Sequence, residues 1–236
     1  MHTSNAQQLL SLNRNFYNTF ATNFSASRSR LQTGITKALA ELQRYDSILD
    51  VGCGDGRVLA AIRQHEPDSS YMGLDFSRQL LNKTPTSPHC NFIHTDITSP
   101  NWSTVLRSKF DAAICFSVLH HIPGQHRRIQ LLRNINTALK PRTLCALSVW
   151  QFLQLSRFRR KIVPWEQIGL TKTAVDPGDY LLDWHRGGHG LRYVHHFEPS
   201  ELHVLCTRAG FKVVKSFHSD GENNALGFYV VLRTVG

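Results

Sequence analysis

The segment Asp50-Val51-Gly52-Cys53-Gly54-Asp55-Gly56 constrains this chain more than any other stretch. It follows the apolar run Ile48-Leu49 and leads into the helix-patterned Val58, Leu59, Ala60 and Ile62. The order reads as a strand, a glycine turn and a helix. Glycines at alternate positions let a backbone turn tightly and approach a ligand without Cβ clashes. The first N–H groups of the following helix would aim at the same place. In open α/β sheets, turns of this kind hold nucleotide-like ligands at the carboxyl edge of the strands.

The spacing narrows the ligand. A dinucleotide fingerprint runs G-x-G-x-x-G, whereas here it is Gly52-x-Gly54-x-Gly56, led by Asp50. No free helical turn is left for a pyrophosphate, and a carboxylate suits a ligand ending in a cationic amino-acid group. An acid about 20 residues further on, closing a second strand, would bond ribose hydroxyls. The segment Ser70-Tyr71-Met72-Gly73-Leu74-Asp75 supplies it. A third polar strand end, Asn91 to Ile97, offers Asp96 to an adenine amino group.

Asp50-x-Gly-x-Gly-x-Gly56, Asp75 and Asp96-Ile97 together resemble the class I S-adenosylmethionine-dependent methyltransferases. The resemblance implies S-adenosylmethionine as cofactor. Gly52, Gly54 and Gly56 would cradle its methionine end, Asp75 the ribose, and Asp96 with Ile97 the adenine. Asp50, Phe76 and Ser117 complete the expected cofactor set.

The rest of the chain fits an α/β fold. Residues 1–44 are helical in pattern, with Phe16, Phe20 and Phe24 on one stripe and Ile35, Ala38, Leu39 and Leu42 on another. Strands end at Asp50, Leu74 and His94, and a fourth runs from Phe110 to Phe116. A helix then begins near Pro123 and stops at Lys140-Pro141. A fifth strand covers Thr143 to Val149, and Phe211–Phe217 and Leu226–Leu232 read as a closing hairpin after a helix from Glu201 to Ala209. Such alternation predicts a Rossmann-like, seven-stranded, mostly parallel sheet with helices on both faces and a C-terminal antiparallel hairpin. One domain is expected over residues 1–236, with a helical cap at 1–44 and a substrate-side insert at about 150–200, where no period is visible.

Composition excludes some classes. No apolar run approaches the roughly 18 residues of a membrane span, and the first residues lack a signal-peptide layout. The five cysteines are scattered without a C-x-x-C, which argues against a disulfide framework or a zinc site and for a reducing compartment, cytoplasmic or, in a eukaryote, nuclear. His185, His189, His195 and His196 lack usual metal spacing, so no metal is expected. The net charge of +10 favours a polyanionic partner.

The acceptor side is less sharply drawn. Candidates are Ser117-Val118-Leu119-His120-His121 after the fourth strand, Trp150 at the end of the fifth, and two insert segments around Trp184 and Arg192. Phe16-Tyr17-x-x-Phe20-Ala21-x-x-Phe24-Ser25-x-Ser27-Arg28, Val118-Leu119-His120-His121, Val149-Trp150, Gly178-Asp179 with Trp184-His185, and Arg192-Tyr193-x-His195-x-Phe197 resemble, in order, the tRNA wobble-uridine carboxymethyl methyltransferases. The chain departs from that pattern at Leu31-Gln32, Leu182-Asp183 and Val194. The resemblance implies methylation of the carboxylate of 5-carboxymethyluridine, with tRNA as partner and a small zinc-binding activator subunit as a second one. A carboxylate is already ionised at neutral pH and needs orientation rather than a general base. Arg28, His120, Arg192 and His195 are the expected orienting groups, with Trp150, Trp184 and Tyr193 as stacking surfaces for a splayed base. Each has a plainer reading: His120 or His121 as a structural histidine, Trp150 as core, Arg192 as a solvated charge. Arg157-Phe158-Arg159-Arg160-Lys161 reads equally as a phosphate contact or a solvated helix face. A small-molecule O- or N-methyltransferase and a non-catalytic cofactor- or RNA-binding subunit remain alternative functions.

Overall fold

The computed structural model describes residues 1–26, 30–42 and 44–235. A seven-stranded sheet forms the centre: β1 (Ser47–Val51), β2 (Ser70–Asp75), β3 (Cys90–His94), β4 (Phe110–Phe116), β5 (Leu139–Trp150), β9 (Phe211–Ser219) and β10 (Gly227–Thr234), in the order β3-β2-β1-β4-β5-β10-β9. The first five strands are parallel, and β10 runs antiparallel to both β5 and β9.

Strand alternation explains the layering. Leu49, Ala113, Cys115, Cys145 and Leu147 pack with α6 (Gln125–Ala138) and α8 (Pro199–Arg208). Their neighbours Ile48, Ala112, Ile114 and Ala146 face the other way, onto α3 (Thr33–Ala40) and α4 (Leu59–His65). Both faces are covered, so β1 and β4 read as continuous apolar runs. Strand order reverses beside β1, whose neighbours are β2 and β4. Crossovers leaving in opposite directions open a crevice at these carboxyl ends.

The fifth strand starts four residues earlier than its β-branched residues suggest. Leu139 already pairs with Phe110, and a register shift absorbs the Lys140-Pro141 segment. The preceding helix starts at Gln125 behind Gly124, not at Pro123.

The insert is ordered where the sequence shows no period. Strands β6 (Ile162–Val163), β7 (Asp179–Trp184) and β8 (Gly190–His195) form an antiparallel sheet in the order β6-β7-β8. Its residues are buried on both sides: Leu181 and Tyr193 face Leu9 of α1 (Thr3–Thr19), while Leu182 and Val194 face Trp150 and Phe152. Apolar residues on both faces erase the alternation that marks a half-buried strand. Helix α1 lies along β8, and buried Asn13 substitutes for a neighbouring strand there. Its amide donates to the Tyr193 carbonyl at 3.0 Å and accepts from the Tyr193 N–H at 2.8 Å. The cap continues through the short α2 (Ala21–Ala26). Arg28 and the side chain of Phe24 lie outside the described part of the chain. No helix among the described residues is long and apolar enough to cross a membrane.

Candidate active site

A cleft open to solvent at its mouth lies over the carboxyl ends of β1, β2 and β4. Asp50, Gly52, Gly54, Asp75, Phe76, Asp96, Ile97 and Ser117 all line it. Three strand ends thus bring together acids that are 25 and 21 positions apart in sequence. Gly56 is not among the lining residues; it packs against Phe92 and Pro85.

The glycine loop is shaped by Asp75. Its carboxylate accepts the Gly54 N–H at 2.9 Å and the Ser77 N–H at 2.8 Å, and so ties the loop to the end of β2. Gly52 has φ of +82°, and a Cβ there would lie 2.2 Å from a Val118 methyl, so the position tolerates no side chain. Gly54 has φ of +58°, but a Cβ on it would meet nothing closer than 4.0 Å. That open space above the loop is room for a ligand.

Electrostatics define the ligand's charge. Asp50 is buried, and the Tyr71 hydroxyl donates to its carboxylate at 2.6 Å. Burial pushes its carboxyl up to about 7, against the Tyr71 hydrogen bond and with a further push from Asp75. Asp75 is also raised by burial, opposed by the N–H groups of Ser77 and Gly54. Among the described residues neither acid has an ion-pair partner. Two desolvated carboxylates without a cation form a site that gains energy when a positive group enters. Asp96 is occupied differently: it accepts from Thr98 N–H at 3.0 Å, from the Thr98 hydroxyl at 2.7 Å, and from Arg14 of α1. Ser117 sits at φ of +59°, an uncommon value for a residue with a side chain, held by its N–H to the carbonyl of Ser148 at 3.1 Å.

The cap helix adds residues that sequence reasoning left without a role. Leu10, Asn13, Arg14 and Tyr17 line the cleft from above, and His121 meets them from β4's end. Tyr17 Oη and His121 Nε2 are 2.6 Å apart, and His121 Nδ1 is 3.2 Å from the Tyr193 carbonyl. Because a carbonyl only accepts, Nδ1 carries the proton, and in the neutral ring Nε2 accepts from Tyr17. In the sequence, Tyr17 and His121 stand in the two separate motifs Phe16-Tyr17-x-x-Phe20 and Val118-Leu119-His120-His121, and neither announces that the two side chains meet.

Arg192 lies behind Tyr17. It is 3% exposed, yet its Nε and Nη1 have no hydrogen-bond partner. Its guanidinium carbon is 5.0 Å from the Trp150 ring, 5.4 Å from Trp184 and 5.5 Å from Phe16. Burial pulls its pKa down from the ordinary arginine value, with Tyr17 as the opposing hydrogen-bond partner. His120 stacks on Trp150 at 4.8 Å between ring centres. Trp150, Arg192, His120 and Tyr17 therefore form one buried cluster beside the cleft, of which only Tyr17 lines the cleft itself.

Tyr193 and His195 sit elsewhere. Asp179 accepts from Tyr193 Oη at 2.7 Å and from His195 Nδ1 at 2.6 Å, and lies 3.3 Å from Arg128. His195 Nε2 is 3.0 Å from Glu201. This buried network joins β7 and β8 to α6 and α8, and neither Tyr193 nor His195 lines the cleft.

The chain matches the methyltransferase-domain family profile over residues 24–216. It is 27% identical over 203 residues to a protein of Encephalitozoon cuniculi provisionally designated a methyltransferase, covering 84% of this chain and 86% of that one. It is 28% identical over 251 residues to a Xenopus tropicalis tRNA (carboxymethyluridine(34)-5-O)-methyltransferase, covering 87% of this chain but 39% of that longer protein. A chain from the Haloferax volcanii complex between the Trm112 methyltransferase activator and a methyltransferase superposes with a TM-score of 0.67 at 14% identity, covering 94% of this chain and 97% of that one. Family match, sheet order and solved neighbours agree: this chain belongs to the methyltransferase-domain family and has the fold of the S-adenosylmethionine-dependent methyltransferases.

Proposed function

We propose that this protein transfers a methyl group from S-adenosylmethionine to a carboxylate on a tRNA wobble uridine of the carboxymethyl type. The observation that carries the acceptor class is Arg192: a buried cation with two idle donors, walled by aromatic rings, next to the acidic cleft. An incoming carboxylate would satisfy those donors in a charge-assisted, planar pairing. The relationship to the frog tRNA methyltransferase supports the same substrate, as does the net charge of +10. A small activator subunit is the proposed partner, by likeness to the Haloferax volcanii chain.

When bound, S-adenosylmethionine supplies a methyl group on a sulfonium centre that a nucleophile displaces in line. The chain's own work is to bind and orient. Asp50 and the loop Gly52–Gly54 would hold the amino-acid end, Asp75 the ribose, and Asp96 with Ile97 the adenine. Phe76 and Ser117 would flank it. Tyr17 and Arg192 would align the acceptor and keep water from it, and alignment supplies much of the rate. With an anionic acceptor, no side chain has to remove a proton.

The decisive assay is transfer from labelled cofactor into tRNA lacking the ester. Label in the wobble nucleoside is expected; label in small acids with none in RNA would overturn the substrate.

Asp50 gives this reading a pH signature. Its ionised form is the one that pairs with an ammonium group. Cofactor affinity is expected to fall as pH drops below about 7, by up to about tenfold per unit. Stability of the ligand-free protein moves oppositely: a carboxyl whose folded pKa exceeds its unfolded 3.8 contributes fully below that value and loses the contribution as pH rises toward 7. Calorimetric titrations on wild type and Asp50→Asn, from about pH 5.5 to about pH 8, check the first slope, which should flatten in the variant.

A further inference from the structure

We infer that Arg157, Lys161 and Arg186 form a seat for an RNA phosphate backbone beside the buried Arg192 cluster, an inference that rests on the proposed RNA acceptor. Three chain segments converge there. Helix α7 (Ser156–Arg159) brings Phe158 to 5.5 Å from the Trp150 ring, and Arg157 lies over Phe158 at 5.1 Å. The Lys161 carbonyl accepts from Asp183 N–H at 2.8 Å, which sets Lys161 beside the end of β7. The next residue on that strand is Trp184, whose indole N–H donates to the Arg186 carbonyl at 2.7 Å. Cations therefore stand around the two tryptophans that wall Arg192.

Their charge is not locally balanced. Surface cations such as Arg57, Lys140 and Lys215 each have an acid at 2.6 Å. Arg157, Lys161 and Arg186 form no ion pair among the described residues. The nearby acid, Asp183, contacts His185 at 2.5 Å and His189 at 2.9 Å, and is one carboxylate against three cations. Lys161 feels the crowding: partial burial first, then Arg192 and Arg186, hold its pKa below the ordinary lysine range, and Asp183 offsets them only in part. Like charges gathered in this way cost the free protein and are relieved by a polyanion. Two exposed arginines and a half-buried lysine about a half-buried aromatic suit a nucleic-acid backbone. It does not suit a bilayer, because Phe158 packs inward on Trp150 and Phe152 rather than offering an apolar wedge.

The test measures binding of a fluorescent tRNA anticodon stem-loop over a range of salt concentrations. The full-length wild type is compared with R157Q/K161Q/R186Q and with the charge-preserving R157K/R186K. Loss of three phosphate contacts should weaken binding ~10- to 100-fold and flatten the log–log salt slope by about 2. R157K/R186K should bind like wild type, and cofactor affinity should be the same in all three proteins. Wild-type affinity and slope in the triple variant would overturn the seat; if the wild type still methylates tRNA, the substrate reading survives. A wild type that binds anionic vesicles but neither binds nor methylates RNA would overturn both.

Discussion

Replacing Arg192 by methionine should cut methyl transfer to the tRNA carboxylate by about a hundredfold while leaving affinity for S-adenosylmethionine unchanged. A hydrogen bond to a charged group contributes about 1.5–3 kcal/mol, and the upper value corresponds to about a hundredfold in rate or affinity. Arg192 has two N–H-bearing nitrogens without partners, so its bonding capacity is reserved for something outside the chain. The cost to folding should be small. Methionine fills similar apolar space, and the Tyr17 hydroxyl left behind still donates to His121. The other buried arginine makes the contrast. Arg128 serves Asp179, Glu201, the Tyr193 hydroxyl and the Ile122 carbonyl. Arg128→Met strands a buried carboxylate and should cost about 3–5 kcal/mol of stability. Steady-state kinetics with tRNA, calorimetry with cofactor and thermal melts of both variants separate the two roles. Normal turnover in Arg192→Met would remove that residue from the site.

Asp75→Ala should weaken cofactor binding by about 1.5–3 kcal/mol, roughly 10- to 100-fold. The carboxylate has capacity for about four hydrogen bonds, and the loop uses two of them, from Gly54 and Ser77. Asp75 lines the cleft, where ribose hydroxyls would use the capacity that remains. Truncation therefore removes both the ligand's acceptor and the tie that shapes the loop, and the melting temperature should fall with the affinity. Asp75→Asn, which keeps one acceptor oxygen, should retain part of both. Unchanged cofactor affinity in Asp75→Ala would contradict the ribose assignment.

Residues whose placement follows from position along a strand were legible without coordinates. Asp50 and Asp75 each end a strand, and Asp96 follows the next; parallel strands end on one edge, so three distant acids meet there. The glycine pattern is local and needs no tertiary knowledge. The insert was opaque for a physical reason: Leu181-Leu182 and Tyr193-Val194 bury adjacent residues on opposite faces, which destroys the alternation. Tyr17 and His121 are 104 positions apart, and no local pattern announces a contact across such a distance. Motif likeness pointed to His195 as an orienting group and to Tyr193 as a stacking surface. What local sequence does not reveal is that Asp179 and Arg128 engage Tyr193 and that Asp179 and Glu201 engage His195. Arg28 lies outside the described residues, and its expected role stays a proposal.

The most direct measurement is a crystal structure of the protein with S-adenosylhomocysteine. The expected result has the amino group against Asp50, the ribose hydroxyls on Asp75, the adenine beside Asp96 and Ile97, and the sulfur facing Tyr17 with Arg192 behind it. A ligand bound away from these strand ends, or one that leaves both Asp50 and Asp75 untouched, would contradict it.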